Sequence, residues 1–86
     1  MEFKVGMSID STDIFTGGSH HSVITERKGN RLKCEAQYFE PDGVHKVKEE
    51  YEVFKDDNGN EYIILWEYKG EQGILRAGYD VYGNKL

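Results

Sequence analysis

An all-β fold, a single small antiparallel meander of about six strands forming a rolled sheet or small barrel, is what this sequence predicts, and three observations predict it. Apolar residues recur at alternate positions in several short runs, the period of a strand with one buried face. Turn-forming groups, Gly29-Asn30, Pro41-Asp42-Gly43 and Asn58-Gly59, separate those runs at short intervals. One hairpin register over Glu61 to Val81 also accounts for almost every residue in that stretch.

The first strand is read from Phe3, Val5, Met7 and Ile9, which alternate with Lys4, Gly6 and Ser8. Asp10 to Ser19, rich in Ser, Thr, Asp and Gly, reads as a loop in which Ile14-Phe15 tucks under the body of the domain. His20 to Arg27 and Arg31 to Phe39 form a hairpin about Gly29-Asn30 that pairs Val23 with Ala36 and Glu26 with Lys33. Leu32, Cys34, Ala36 and Tyr38 then face inward.

Lys46 to Lys55 fits both a helical and a strand period, and cross-strand charge favours the strand. Pairing Phe39 with Val44 aligns Glu35 with Lys48, Lys33 with Glu50 and Arg31 with Glu52 on one face. Ala36 with Val47 and Leu32 with Tyr51 match on the other, although a three-residue Pro-Asp-Gly loop would require a bulge. Asn58-Gly59 is a type I′ signal that pairs Val53 with Ile64 and Tyr51 with Trp66.

Folding the last hairpin about Glu71-Gln72 sets Tyr68 opposite Leu75, Trp66 opposite Ala77, Ile64 opposite Tyr79 and Tyr62 opposite Val81. The same register aligns Glu67 with Arg76 and lays Leu65 over Gly78. The first strand is then expected to cover the edge of the last.

The 86 residues make one domain spanning 1–86, with a modest core and no need of staples. A lone cysteine, Cys34, makes no internal disulfide, and Met1-Glu2-Phe3-Lys4 runs into a strand pattern instead of a signal-peptide apolar stretch, which favours a cytoplasmic setting. The longest apolar run, Tyr62 to Trp66, is strand-sized, so no membrane partner is expected. With 16 acids against 11 bases the net charge is −5, which disfavours direct contact with nucleic-acid phosphate.

Chemical motifs are sparse, and neither cofactor nor metal is expected. His20 and His21 are strand neighbours and point to opposite faces, so they do not share an ion. The expected row His21, Tyr38, His45 separates its histidines by two strand spacings, roughly 10 Å, and leaves Cys34 still further away. Asp56, Asn58 and Asn60 imitate a calcium loop with Glu67 at its twelfth position, but Glu61 stands where that loop requires glycine. Gly17-Gly18-Ser19 lacks the lysine and helix of a phosphate-binding loop. Glu49 is the one carboxylate the register places on the inner face, beside Cys34 and Tyr68. Buried without a partner, it would have a raised pKa and could serve as a general acid.

The surface carries the functional expectation. Phe54, Ile63 and Leu65 are expected on the face opposite the core, with Phe54 across from Ile63 and Glu50, Glu52, Asp56, Asp57, Glu61 and Glu67 around them. An apolar centre with a charged rim is the anatomy of a protein interface. The pattern points to a non-catalytic, acidic binding protein that docks on a basic protein surface. Its sharpest form is a nucleic-acid mimic, an inhibitor of the kind phages use against defence proteins. Ile14-Phe15 or a homodimer are the other ways to cover that face. A ligand- or single-strand-binding barrel stacking on Tyr38, Tyr51, Trp66 or Tyr68 is the alternative, and an enzyme using Glu49, Cys34 or a histidine is the least supported.

Overall fold

A computed structural model describes residues 1–12, 19–80 and 83–86 of the chain. Its elements are β1 (Ser8–Thr12), β2 (Ser19–Lys28), β3 (Arg31–Glu40), β4 (Gly43–Glu52), β5 (Phe54–Lys55), β6 (Glu61–Tyr68) and β7 (Glu71–Arg76). The described residues are thus all-β. The single rolled sheet or barrel is corrected: strands β1-β2-β3-β4 form one antiparallel sheet and β5-β6-β7 a second, and they do not close on each other. The chain changes sheets at Val53, whose amide donates to the Asn30 carbonyl at 2.7 Å. A strand that bends out of one sheet and into another makes a corner of this kind.

The β3–β4 register is the one read from the sequence, from Arg31 opposite Glu52 through Glu35 opposite Lys48 to Phe39 opposite Val44. No bulge is needed, because the loop is Pro41-Asp42 alone and Gly43 already pairs with Glu40. In β2–β3 the expected Glu26–Lys33 pair forms, but a bulge at Thr25 shifts the register beyond it, and Ala36 meets Ser22 instead of Val23. The Phe3–Ile9 alternation does not make one strand. It breaks at a turn where Gly6 adopts φ +94° and Met7 N donates to Lys4 O; Gly6 N then donates to Ile24 O and Ile24 N to Met7 O, so that β1 from Ser8 onward runs along β2 instead of covering β7. The expected Ile14-Phe15 tuck falls outside the described residues.

Both registers of the second sheet depart from expectation. Lys69-Gly70, not Glu71-Gln72, forms the β6–β7 turn, with positive φ at both residues as a type I′ turn requires. Tyr68 therefore faces Glu71, Glu67 faces Gln72, Trp66 faces Gly73, Ile64 faces Ile74 and Tyr62 faces Arg76. Gly73 lies within β7 opposite Trp66, not beside the turn, and its missing side chain serves packing: a Cβ there would lie 2.1 Å from Trp66 Nε1. At the other end of β6, Asp56 to Asn60 forms the loop, so Phe54 pairs with Tyr62, and the expected Val53–Ile64 and Tyr51–Trp66 pairs are absent. Asp56 Oδ1 accepts from the amides of Asn58 and Asn60 at 2.9 and 3.0 Å, which lengthens the turn beyond its Asn58-Gly59 core.

The core lies between the sheets. Ile9, Ile24, Leu32 and Cys34 from the first meet Ile63, Leu75, Val53 and Ala77 from the second and its approaches, with Phe3 from the N-terminal segment. Each fully buried Ile or Leu there contributes about 1.5–3 kcal/mol of burial free energy. Ala36 is buried outside this cluster, and Val47 opposite it is 42% exposed, so the second sheet backs only the Leu32 end of the ten-residue strands.

Candidate functional site

The strongest surface feature is the outer face of β5-β6-β7. Phe54 and Tyr62 are directly opposed, and their rings stack at 5.5 Å between centroids and 24° between planes. Beyond Tyr62 on the same face, Ile64 opposes Ile74, which is 44% exposed, and Arg76 stands across from Tyr62. A shallow cleft of about 420 Å³ runs along the end of this face between Ile74, Arg76, Tyr79, Asp56 and Asn58.

The projected site residues divide. Phe54 belongs to this face, whereas Ile63 is fully buried in the core and Leu65 packs against the core from its margin. Glu61 is only 1% exposed and makes a bidentate ion pair with Arg27, so it cannot be rim. Glu50 and Glu52 lie on the other sheet, opposite Lys33 and Arg31. Asp56 is partly buried and engaged in its own loop, while Asp57 and Glu67 are exposed. A one-residue shift of the Phe54 pairing explains the apolar exchange: the side chains of β6 turn over, so Tyr62 opposite Phe54 and Ile64 opposite Ile74 stand on the outer face where Ile63 and Leu65 were expected. The clue in the sequence was Asp56-Asp57-Asn58-Gly59-Asn60, whose abundance of side chains that cap their own turn favours a longer loop.

A second cluster centres on Glu49, on the inner face of β4 opposite Cys34 as expected. Its carboxylate engages His20 Nε2 at 2.8 Å and accepts from Tyr38 OH at 2.6 Å and Tyr51 OH at 3.1 Å. Burial is the largest influence on Glu49 and pushes its pKa up, but Tyr38, His20 and Tyr51 together outweigh it and hold the pKa below the ordinary value. The expected raised pKa is thereby corrected. Tyr68, expected beside Glu49, is instead 66% exposed near the β6–β7 turn. His20, not His21, joins the Tyr38 row, because the Thr25 bulge moves β2 by one residue; its ring packs on Tyr38 with centroids 4.5 Å apart.

Burial pushes the Cys34 thiol up, Ser22 opposes this and the Glu49 charge adds to it, so the reactive thiolate is disfavoured. The Ser22 hydroxyl has no partner of ordinary hydrogen-bond geometry among the described residues, and the thiol is at best a weak one. Glu40, Asp42 and His45 bring three potential metal-ligating atoms within 4.8 Å of one another at the β3–β4 turn. Sequence reading missed this group because it arises from hairpin closure. All three residues are exposed, and His45 Nε2 already meets Asp42 Oδ1 at 3.1 Å, lowering the pKa of Asp42 and raising its own.

Among the described residues no helix is long and apolar enough to cross a membrane. Comparison with known protein families, curated proteins and solved structures found no match for this chain.

Proposed function

We propose that this protein is a non-catalytic binding module that docks a basic protein partner on the outer face of its three-stranded sheet. The observation that carries the reading is the stacked Phe54–Tyr62 pair beside Ile64 and the exposed Ile74. Aromatic and aliphatic anchors at the centre of a patch supply most of the energy of an interface. The net charge of −5 and exposed acids such as Asp57 and Glu67 select a partner of opposite sign and speed its approach. An inhibitor occupying the nucleic-acid-binding surface of such a partner is the sharpest form of this reading. The subscribed Glu49 carboxylate and disfavoured Cys34 thiolate support a role other than catalysis.

Capture from native lysate with the parent chain and with Ile74→Glu tests the surface. The parent should retain a basic protein that the variant loses; binding kinetics should show Phe54→Ala accelerating dissociation and Asp57→Lys slowing association, with weaker salt dependence. Equal binding by all folded variants overturns the assignment.

A second reading has its own observation. Trp66 and Tyr68 are 54% and 66% exposed and stand two residues apart on one strand, so they present a stacking platform. Quenching of Trp66 fluorescence by short oligonucleotides, absent in Tyr68→Ala, would favour that reading over protein docking.

A further inference from the structure

We infer that β4 is a self-pairing strand through which two copies of this chain join their four-stranded sheets into one continuous eight-stranded sheet. β4 is the ten-residue edge of its sheet. Among the described residues it forms no backbone hydrogen bond to any strand other than β3. A long, largely exposed edge of this kind is a template for another strand.

The side chains of β4 specify which strand. Its outer face carries Lys46 and Lys48 in one half and Glu50 and Glu52 in the other. A copy related by a two-fold axis through the Glu49 position runs antiparallel, and sets Lys48 against Glu50 and Lys46 against Glu52 twice over. Moving the axis by one residue in either direction puts Lys48 against Lys48 or Glu50 against Glu50. The preferred register also continues the charge order already present within each sheet. Lys33 opposes Glu50 and Lys48 opposes Glu35, so the joined row reads Lys33, Glu50, then Lys48 and Glu35 of the second copy, alternating in sign throughout.

The inner face agrees with this register. Val47, 42% exposed, comes to lie against Tyr51 of the second copy, extending the Leu32–Tyr51 and Val47–Ala36 pairs into one apolar row. The two Glu49 residues meet at the axis, but each carboxylate is drawn back onto its own chain by His20, Tyr38 and Tyr51. This surface is separate from the proposed docking face on the other sheet, so either assignment can fail alone.

Sedimentation equilibrium of the full chain across a concentration series tests the pairing. The parent should move from 9.9 kDa toward twice that mass as concentration rises. Lys48→Glu and Glu50→Lys should each weaken self-association at least tenfold, because each places like charges across the axis. An equimolar mixture of the two variants should associate again, since each then meets an opposite charge on its partner. Lys48→Gln, which adds no like-charge contact with Glu35, should weaken association several-fold and guards against a folding defect. A parent that stays at 9.9 kDa into the millimolar range, folded single variants that associate as the parent does, or a mixture of folded variants that remains monomeric would overturn the proposal.

Discussion

Glu61, almost wholly buried at the start of β6, takes both terminal nitrogens of Arg27 from β2, with Arg27 Nη2 donating to Oε2 at 2.7 Å. The same carboxylate accepts from the Phe3 amide at 2.9 Å, and Arg27 Nη1 donates to the Phe3 carbonyl at 3.0 Å. Main-chain bonds from Glu61 N to Met1 O and from Ala77 N to Glu61 O complete the joint. One acidic residue thus ties both sheets, the N-terminal segment and the chain after β7 together.

Removing Glu61 should therefore cost far more than removing a surface acid. Breaking a buried pair by deleting one partner costs about 3–5 kcal/mol, and the partial exposure of Arg27 places Glu61→Ala toward the lower end. Arg27 holds the Glu61 carboxyl below its ordinary range, chiefly through their hydrogen bonds. A depressed pKa contributes stability that is present above the unfolded value, about 4.3, and is lost as pH falls through the folded one. Urea titrations should show the parent losing stability over that acidic interval and Glu61→Gln showing a smaller loss. An equal acid response in both would remove Glu61 as the cause.

Charge was legible where turns were short and ladders unbroken. The β3–β4 pairing could be read because three ion-compatible rows check one another, even though the sequence suggests a loop one residue too long and a bulge that Glu40 opposite Gly43 makes unnecessary. Bulges at Thr25 and in β6 between Ile64 and Trp66 leave no compositional mark, yet each resets which side chains face the core. Glu61 illustrates the same limit: an acid next to Asp56-Asp57-Asn58 looks solvated until Arg27 is brought to it by sheet packing. Phe54 was found as a surface residue, but its neighbours were not, because the true loop is longer than Asn58-Gly59 suggests.

Glu49 gives a prediction opposite in sign to that for an unpartnered buried carboxylate. Replacing it by glutamine should destabilise the fold by about 1.5–3 kcal/mol, the scale of a hydrogen bond to a charged group. Burial, followed by Glu49, pushes Tyr38 up to about 12, and burial pushes Tyr51 higher still. Raised pKa values contribute stability that is complete below the unfolded value near 10 and disappears as pH rises through the folded ones. Tyrosinate absorbance should therefore show late-titrating groups in the parent, coincident with alkaline unfolding. Tyr38→Phe should remove one of them, and an unchanged titration would contradict the assignment.

Gly73 is held by packing, and its replacement should report directly through tryptophan. A Cβ added there would overlap the Trp66 indole at 2.1 to 2.6 Å, but the ring is 54% exposed and can swing outward. Gly73→Ala should cost about 1 kcal/mol, at the low end of overpacking, and shift Trp66 emission to longer wavelength. Emission and stability identical to the parent would show that the ring does not rest on Gly73.

The β6–β7 turn offers the contrary case, a site where substitution should stabilise. Lys69 adopts φ +51° at the first turn position, a conformation that costs an ordinary L-residue about 1–2 kcal/mol and that asparagine tolerates better. Lys69 also lies over the Tyr68 ring, 5.3 Å from its centre, and an exposed contact of this kind contributes about 0.5 kcal/mol. Relief of the backbone outweighs loss of the ring contact, so Lys69→Asn should raise stability by about 0.5–1 kcal/mol. A higher urea midpoint with unchanged slope would establish the gain in stability. A lower midpoint would mean that the cation over Tyr68 contributes more than the turn geometry costs.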